Sequence, residues 1–280
     1  MALKKVEKRR KWISFAILLV VCIIFMIPLI WAVATSFKSS SDITHHITSL
    51  IPYHPIIDNY KTLFTDPDMP IFKWLRNSAI VSITHTILYL IVASLAGYSF
   101  GVLEWKGRDK VFWFLLLTMM IPNVVNIIPL FTMVVDFNWF QKLISLIVPG
   151  LGGVFGLFII RSFFLGIPKE LIEAAEVDGL NKFGIYLKIV LPLGKSALMV
   201  AGLFAFLGSW NDYLWPTLAL AGTTVDWYTL PIGLSLLQGN NNYLIGLTMA
   251  GSVMSIIPVV IVYCFTQDKI IEGVSRTGIK

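Results

Sequence analysis

Residues 167–192 read IPKELIEAAEVDGLNKFGIYLKIVLP, a charged stretch set between two long apolar runs. Its first half carries the marks of a short helix: Pro168 suits the first helical position, and Glu170 and Glu173 put negative charge near the positive end of the helix dipole. Gly179 fits the left-handed residue that closes such a helix. Asn181 is placed to cap a second helix, in which Phe183, Leu187 and Val190 recur near one face before Pro192 ends it. With small Ala174 and Ala175 permitting close backbone approach, the spacing predicts a helix-turn-helix shaped for docking. An amphipathic segment lying solvated on a membrane surface is the other reading of the same residues.

The flanking runs decide the solvent. The chain is 56% hydrophobic and 14% charged over 280 residues, too apolar for a soluble domain of that size. A bilayer core needs about 20 apolar residues in a helix. Six segments meet that requirement: roughly 12–35, 77–100, 111–135, 143–164, 196–220 and 244–267. The expected fold is therefore an all-α integral membrane protein with six transmembrane helices, residues 12–267 forming a single permease domain. Residues 1–11 make a basic N-terminal tail and 268–280 a C-terminal one. The opening MALKKVEKRRKW has the charge of a signal peptide, but the run behind it lacks a small-residue cleavage site, so a retained first helix is expected. Cys22 and Cys264 both lie inside apolar runs and read as packing residues.

Charge fixes the expected orientation. The N-terminal tail, the Glu104–Lys110 loop, the Arg161–Lys195 segment and the C-terminal tail together hold 17 of the 22 Lys and Arg residues. Both termini and the helix-turn-helix are expected on the cytoplasmic side. The net charge of +6 is thus a topology signal, and no nucleic-acid partner is needed to account for it. Pro28, Pro122, Pro129, Pro149, Pro216 and Pro258 lie inside spans, and as a set they predict kinked helices in a bundle that rearranges.

The sequence Glu173-Ala174-Ala175, three residues, Gly179, nine residues, then Ile189-x-Leu191-Pro192 resembles the EAA motif of binding-protein-dependent ABC permeases. The similarity extends to Arg76-Asn77-Ser78, Ile121-Pro122 with Ile128-Pro129-Leu130, Trp210-Asn211-Asp212 with Leu214-Trp215-Pro216, and the tail through Gln267, Gly273, Gly278 and Lys280. It points to the carbohydrate uptake branch, as the second membrane subunit of maltose-type importers. The resemblance implies a coupling helix seated in a cytoplasmic ATPase subunit, with Glu173, Ala174, Ala175, Asp178, Gly179, Ile189 and Pro192 at the contact. It also implies a C-terminal tail that reaches the ATPase pair. The usual Gln-Arg pair reads Gln267-Asp268 here, which removes the basis for a role at the second position. The implied partners are a second permease, two copies of the ATPase carrying ATP and Mg, and an extracellular or periplasmic sugar-binding protein, in a bacterial cytoplasmic (inner) membrane. The implied substrate is an oligosaccharide.

The chain lacks a G-x-x-x-x-G-K-[ST] phosphate loop, so it is not expected to bind ATP by that route. It also shows no nucleophile-base constellation, and it is expected to be non-catalytic. His85 is the one histidine in a span; among Ser82, Thr84 and Thr86 it reads as a hydrogen-bonded packing residue rather than a proton relay. An ion-gradient-driven transporter or channel is the alternative, and it would normally carry intramembrane acids or inverted repeats. Trp210, Asn211, Asp212, Tyr213 and Trp215 form the most polar and aromatic cluster within any span. They read either as a sugar path or as an inter-subunit contact. The outer loops, 36–73 and 222–243 with its Gly239-Asn240-Asn241-Asn242 run, are placed to meet the binding protein or to serve as solvated connectors.

Overall fold

The computed structural model describes residues 2–238 and 244–277, and every regular element among them is helical. In chain order these are α1 (Ala2–Ser36), α2 (Ser40–His45), α3 (Asp58–Thr65), α4 (Ile71–Gly101), α5 (Arg108–Thr118), α6 (Ile127–Asp136), α7 (Ile144–Ile147) and α8 (Val154–Phe164). There follow α9 (Lys169–Val177), α10 (Lys182–Ile185), α11 (Leu191–Leu193), α12 (Lys195–Trp210), α13 (Leu214–Ala219), α14 (Leu230–Leu236) and α15 (Leu244–Thr277). A π-helical turn, Tyr186–Val190, joins α10 to α11, and a 3-10 turn, Asn123–Asn126, precedes α6. The chain divides into two compact units, Met1–Ile71 with Leu234–Ile256, and Phe72–Gly233 with Ile257–Lys280.

The first unit holds α1, whose apolar side chains are exposed along most of its length, Phe25 by 74%. A helix apolar on all sides needs lipid or another chain around it. The outer loop behind it is ordered. Lys38 is fully buried, and its ammonium donates to the carbonyls of His46 and Ser49 at 3.0 and 2.6 Å. The Asn59 amide donates to the carbonyls of Ser36 and Lys38. This loop is thus a built element rather than a slack connector.

In the second unit the expected uninterrupted spans are only partly present. Residues 10–36, 71–101 and 245–268 form helices long and apolar enough to cross a bilayer. Span three is instead α5 and the 123–136 segment bent by 90°. Pro122, with φ −58° and ψ 131°, stands outside helical geometry at that break. Span four is two short helices separated by Pro149 and Gly150, the latter at φ +87°. Span five ends as a helix at Trp210 and resumes at Leu214. Pro28 and Pro258, by contrast, sit inside continuous helices.

Close approach of α4 to α8 explains the core. A Cβ on Gly97 would fall 2.6 Å from Ile160, and one on Gly156 would fall 2.3 Å from the Tyr89 hydroxyl. That hydroxyl accepts the Gly156 N–H at 2.8 Å. Tyr89, Ala93, Tyr98, Ile160 and Phe164 are buried together with Ala175, Ile185, Tyr186 and Val190, so the predicted docking segment packs into the same core as the spans.

Candidate functional site

The helix-turn-helix is present, and its turn chemistry is local. Helix α9 ends at Val177, with Gly179 at φ +83°. The Gly179 N–H donates to the Glu176 carbonyl and the Leu180 N–H to the Ala175 carbonyl, both at 3.0 Å. This is the Schellman pairing, in which a left-handed glycine lets two otherwise orphaned carbonyls be satisfied. Asn181 then caps α10, its side-chain oxygen accepting the Gly184 N–H at 2.7 Å. Pro168 stands one residue earlier than expected: at ψ 132° it precedes the helix, and Lys169 is the first helical residue.

The two faces of α9 differ. Ala175 is buried and Ile172 half-buried, whereas Leu171, Ala174 and Val177, at successive spacings of three, are exposed, Val177 by 87%. Glu173 and Asp178 are also exposed. An apolar row flanked by carboxylates thus faces away from the chain's own core. Behind α9 lies a cavity of about 380 Å³ lined by Tyr98, Glu104, Phe164, Lys169, Ile172 and Glu173. Lys169 lies 2.9 Å from Glu104, and this hydrogen bond and positive charge hold the Glu104 carboxyl below the usual carboxylate range.

The second helix departs from its expected pattern. Phe183 and Leu187 are 61% and 44% exposed, while Val190 is fully buried, so the three do not share a buried face. The buried side chains are Ile185, Tyr186 and Val190, with Ile189 half-buried. The π-turn is the cause, because one extra residue in the turn shifts every following side chain around the axis. Pro192 is exposed within α11, and the helix ends two residues later at Gly194, where the chain bends by 78° into α12.

Sequence reasoning missed the side chains that fasten this segment. The Tyr98 hydroxyl donates to the Lys182 carbonyl at 2.8 Å, and the hydroxyls of Ser94 and Tyr186 lie 2.8 Å apart in a buried pair. Arg161, on α8, donates to the Phe100 carbonyl at 3.0 Å and to Asp109 at 2.7 Å, with its guanidinium 3.8 Å over the Phe112 ring. The available signal was two tyrosines and a serine amid apolar residues, which need polar partners when buried.

The span-five cluster does not converge on one site. Trp210 is buried and stacks on Phe206, and the Trp215 indole donates to the Ser145 carbonyl at 2.9 Å. Asp212 accepts the Trp215 N–H at 3.4 Å and so caps α13, while Asn211 and Tyr213 are exposed. His85 is held by the Ile147 carbonyl at 2.8 Å and lies beside Tyr89. In the tail, Gln267 is half-buried and α15 continues unbroken through Gly273 to Thr277; Gly278, Lys280 and the Gly239–Asn242 run lie outside the described residues. Among the described residues no group of three or more His, Cys, Asp or Glu side chains is arranged to hold a metal ion.

At its opposite end α4 carries a second set of buried bonds. The Trp74 indole donates to the Val225 carbonyl, the Asn77 amide to the carbonyls of Asp226 and Tyr228, and the Ser78 hydroxyl accepts the Leu230 N–H, all between 2.8 and 3.0 Å. The motif Arg76-Asn77-Ser78 therefore anchors a loop to a helix.

Residues 90–267 match the family described as binding-protein-dependent transport system inner membrane component. The chain is 34% identical to the arabinooligosaccharides transport system permease protein AraQ of Halalkalibacterium halodurans, over 93% of both chains. It is 30% identical to the trehalose/maltose transport system permease protein MalG of Thermococcus litoralis, over 99% of both. The fold is shared with a chain of a bacterial ABC transporter that imports the acidic polysaccharide alginate, with a TM-score of 0.80 at 24% identity, covering 94% of this chain and 97% of that one. The apolar helices, the helix-turn-helix and these relatives lead to one conclusion: the chain is a multi-pass membrane protein of the binding-protein-dependent transport family, a permease of the kind that serves ABC sugar uptake.

Proposed function

We propose that this chain is one of two membrane subunits of an ATP-driven oligosaccharide importer and that α9 is its coupling helix. The observation that carries the proposal is the Schellman-closed α9, which presents Leu171, Ala174 and Val177 outward beside Glu173 and Asp178 while Ala175 locks it to the core. A soluble ATPase subunit gripping that face would move the spans as a body. Gly179, Ile189 and Pro192 set the angle of the grip rather than its chemistry, since Gly179 supplies the turn and the other two lie beyond it. Gln267 and the tail beyond it would meet the ATPase pair.

In this arrangement the chain has six crossings, some broken, with both termini cytoplasmic in the bacterial inner membrane. ATP and Mg belong to the two ATPase subunits, and the sugar-binding protein docks on the opposite side. Closure of the ATPase pair on ATP draws the coupling helices together and opens the path outward; hydrolysis resets it. An oligosaccharide is supported by relatives whose names specify arabinooligosaccharides and trehalose/maltose. Asn211 and Tyr213, exposed at the span-five break, are the side chains of that cluster available to sugar; Trp210, Trp215 and Asp212 hold the break together.

Affinity purification in mild detergent with mass spectrometry of the companions tests this. Copurifying ATPase subunits and a second permease support it. A chain that purifies alone under conditions preserving known importer complexes overturns it in favour of an ion-gradient transporter.

A further inference from the structure

Among the described residues α4 is the long helix without an internal proline: α1 contains Pro28 and α15 contains Pro258. Its 31 residues are bonded through buried side chains at both ends. At one end Ser94 and Tyr98 hold the docking hairpin; at the other Trp74, Asn77 and Ser78 hold the 225–230 loop. Trp74 and Asn77 are fully buried, and Ser78, Ser94, Tyr98 and Tyr186 nearly so. Ser78 and Ser94 stand about 24 Å apart at the rise of an α-helix.

The hydroxyl pair at the inner end has a defined sense. The Ser94 hydroxyl donates to the Ile91 carbonyl at 3.2 Å, so its single proton is committed there, and Tyr186 donates to Ser94. Tyr186 opens the π-turn, the one place in this segment where the helical ladder has a spare residue and can change register. The Tyr98 ring lies 5.3 Å from that of Tyr186, and Tyr98 in turn bonds the first residue of α10. The hairpin therefore has a mechanical attachment to α4 that is separate from the chain connections through α8 and α12.

We propose that α4 is the strut that carries motion of the coupling hairpin to the 225–230 loop on the opposite side of the membrane, with Tyr186 and Ser94 as positioning residues at its inner joint and Asn77 and Ser78 at its outer one. This rests on the importer reading above and adds to it a route: displacement of α9 reaches the outer side through span two. A rigid element biased at both ends is the physical form such coupling requires.

The test uses the complete complex that copurifies with this chain, trapped with MgATP and orthovanadate or left with ADP. Hydrogen exchange is followed in residues 225–233, where the Leu230 amide is bonded to Ser78. Wild type is expected to change its exchange there on trapping. Tyr186→Phe and Ser94→Ala are expected to reduce that nucleotide-dependent change about 5-fold with the complex and its ATP hydrolysis retained, the scale of one lost buried hydrogen bond. Ser94→Thr, which keeps a hydroxyl, retains the change, an outcome that a general packing defect would not produce. If wild type hydrolyses ATP but residues 225–233 do not respond, or if Tyr186→Phe and Ser94→Ala both respond in full, the strut is wrong and the importer reading stands. If no ATPase accompanies the wild-type chain, the importer reading fails and takes the strut with it.

Discussion

Helix α4 and the α5–α6 pair are similarly apolar and similarly long, yet one is a single rod and the other is bent by 90°. The difference comes from a few residues. Pro122 lacks an N–H and pushes Ile121 away from helical geometry, and the chain then re-enters through the 3-10 turn Asn123–Asn126. Helix α4 contains no proline; its glycines Gly97 and Gly101 face Ile160 and Phe164, where they permit contact rather than bending. The bent pair has little buried surface of its own, with Met120, Val124, Val125 and Ile128 all exposed, whereas α4 is buried at Trp74, Asn77, Val81, Tyr89, Ala93 and Tyr98. Rigid continuity therefore goes with buried bonding at both ends, and the break goes with a face left open to lipid or another chain.

The sharpest way to break this contrast is to exchange the two behaviours. Ala93→Pro should cost about 3 kcal/mol or more, since it removes a helical hydrogen bond and clashes with the preceding turn at Tyr89. The expected outcome is loss of assembled complex on size-exclusion chromatography. Next in size, Gly194→Ala should cost about 1–3 kcal/mol, because the new Cβ would meet the Phe164 ring at 2.2 Å, at the bend between α11 and α12. A lowered Tm of the purified complex checks it.

Gly179→Val separates conformation from contact. Nothing lies within 4 Å of a Cβ there, so the cost is the left-handed backbone alone, about 1–2 kcal/mol. Assembly is expected to survive while sugar uptake falls; uptake at the wild-type rate would detach α9 from coupling. Pro122→Ala should cost only about 0.4–1 kcal/mol, through added freedom of the unfolded chain. A larger loss of Tm would mean that the bend is held by Pro122 itself rather than by its surroundings.

The smallest effect belongs to the Glu104–Lys169 pair. Lys169 lowers the folded pKa of Glu104, so its stabilisation is present above the unfolded carboxylate range and is lost as pH falls through the folded value. Both side chains are more than three-quarters exposed, and solvent screens them. Glu104→Gln should leave Tm at pH 7 unchanged, and a clear drop would place this pair in the structural core of the site.

These contrasts also mark what was legible in the sequence. Gly179 and Asn181 were readable because a left-handed turn and an N-cap are settled by residues within four positions of themselves. The membrane class was readable from the apolar runs. The joint at Tyr186 was not, for its partner Ser94 is 92 residues away and its orientation depends on a π-turn that no periodicity announces. The prolines were visible as bends, but not which ones break the chain: Pro28 and Pro258 are carried within continuous helices, whereas Pro122 and Pro149 end them. The expected face of Phe183, Leu187 and Val190 failed for the same reason as the joint, because a regular repeat was assumed across an irregular turn.

The π-turn at Tyr186–Val190 also sets how this protein tolerates changes of length. Deleting one residue there would restore an ordinary ladder and rotate everything on one side by about 100° relative to the other. The exposed row on α9 would then be turned away from a partner that had not moved. Insertions and deletions are thus expected to accumulate in outer connections such as the segment after Gln238, while the count of residues from Asn181 to Gly194 stays fixed.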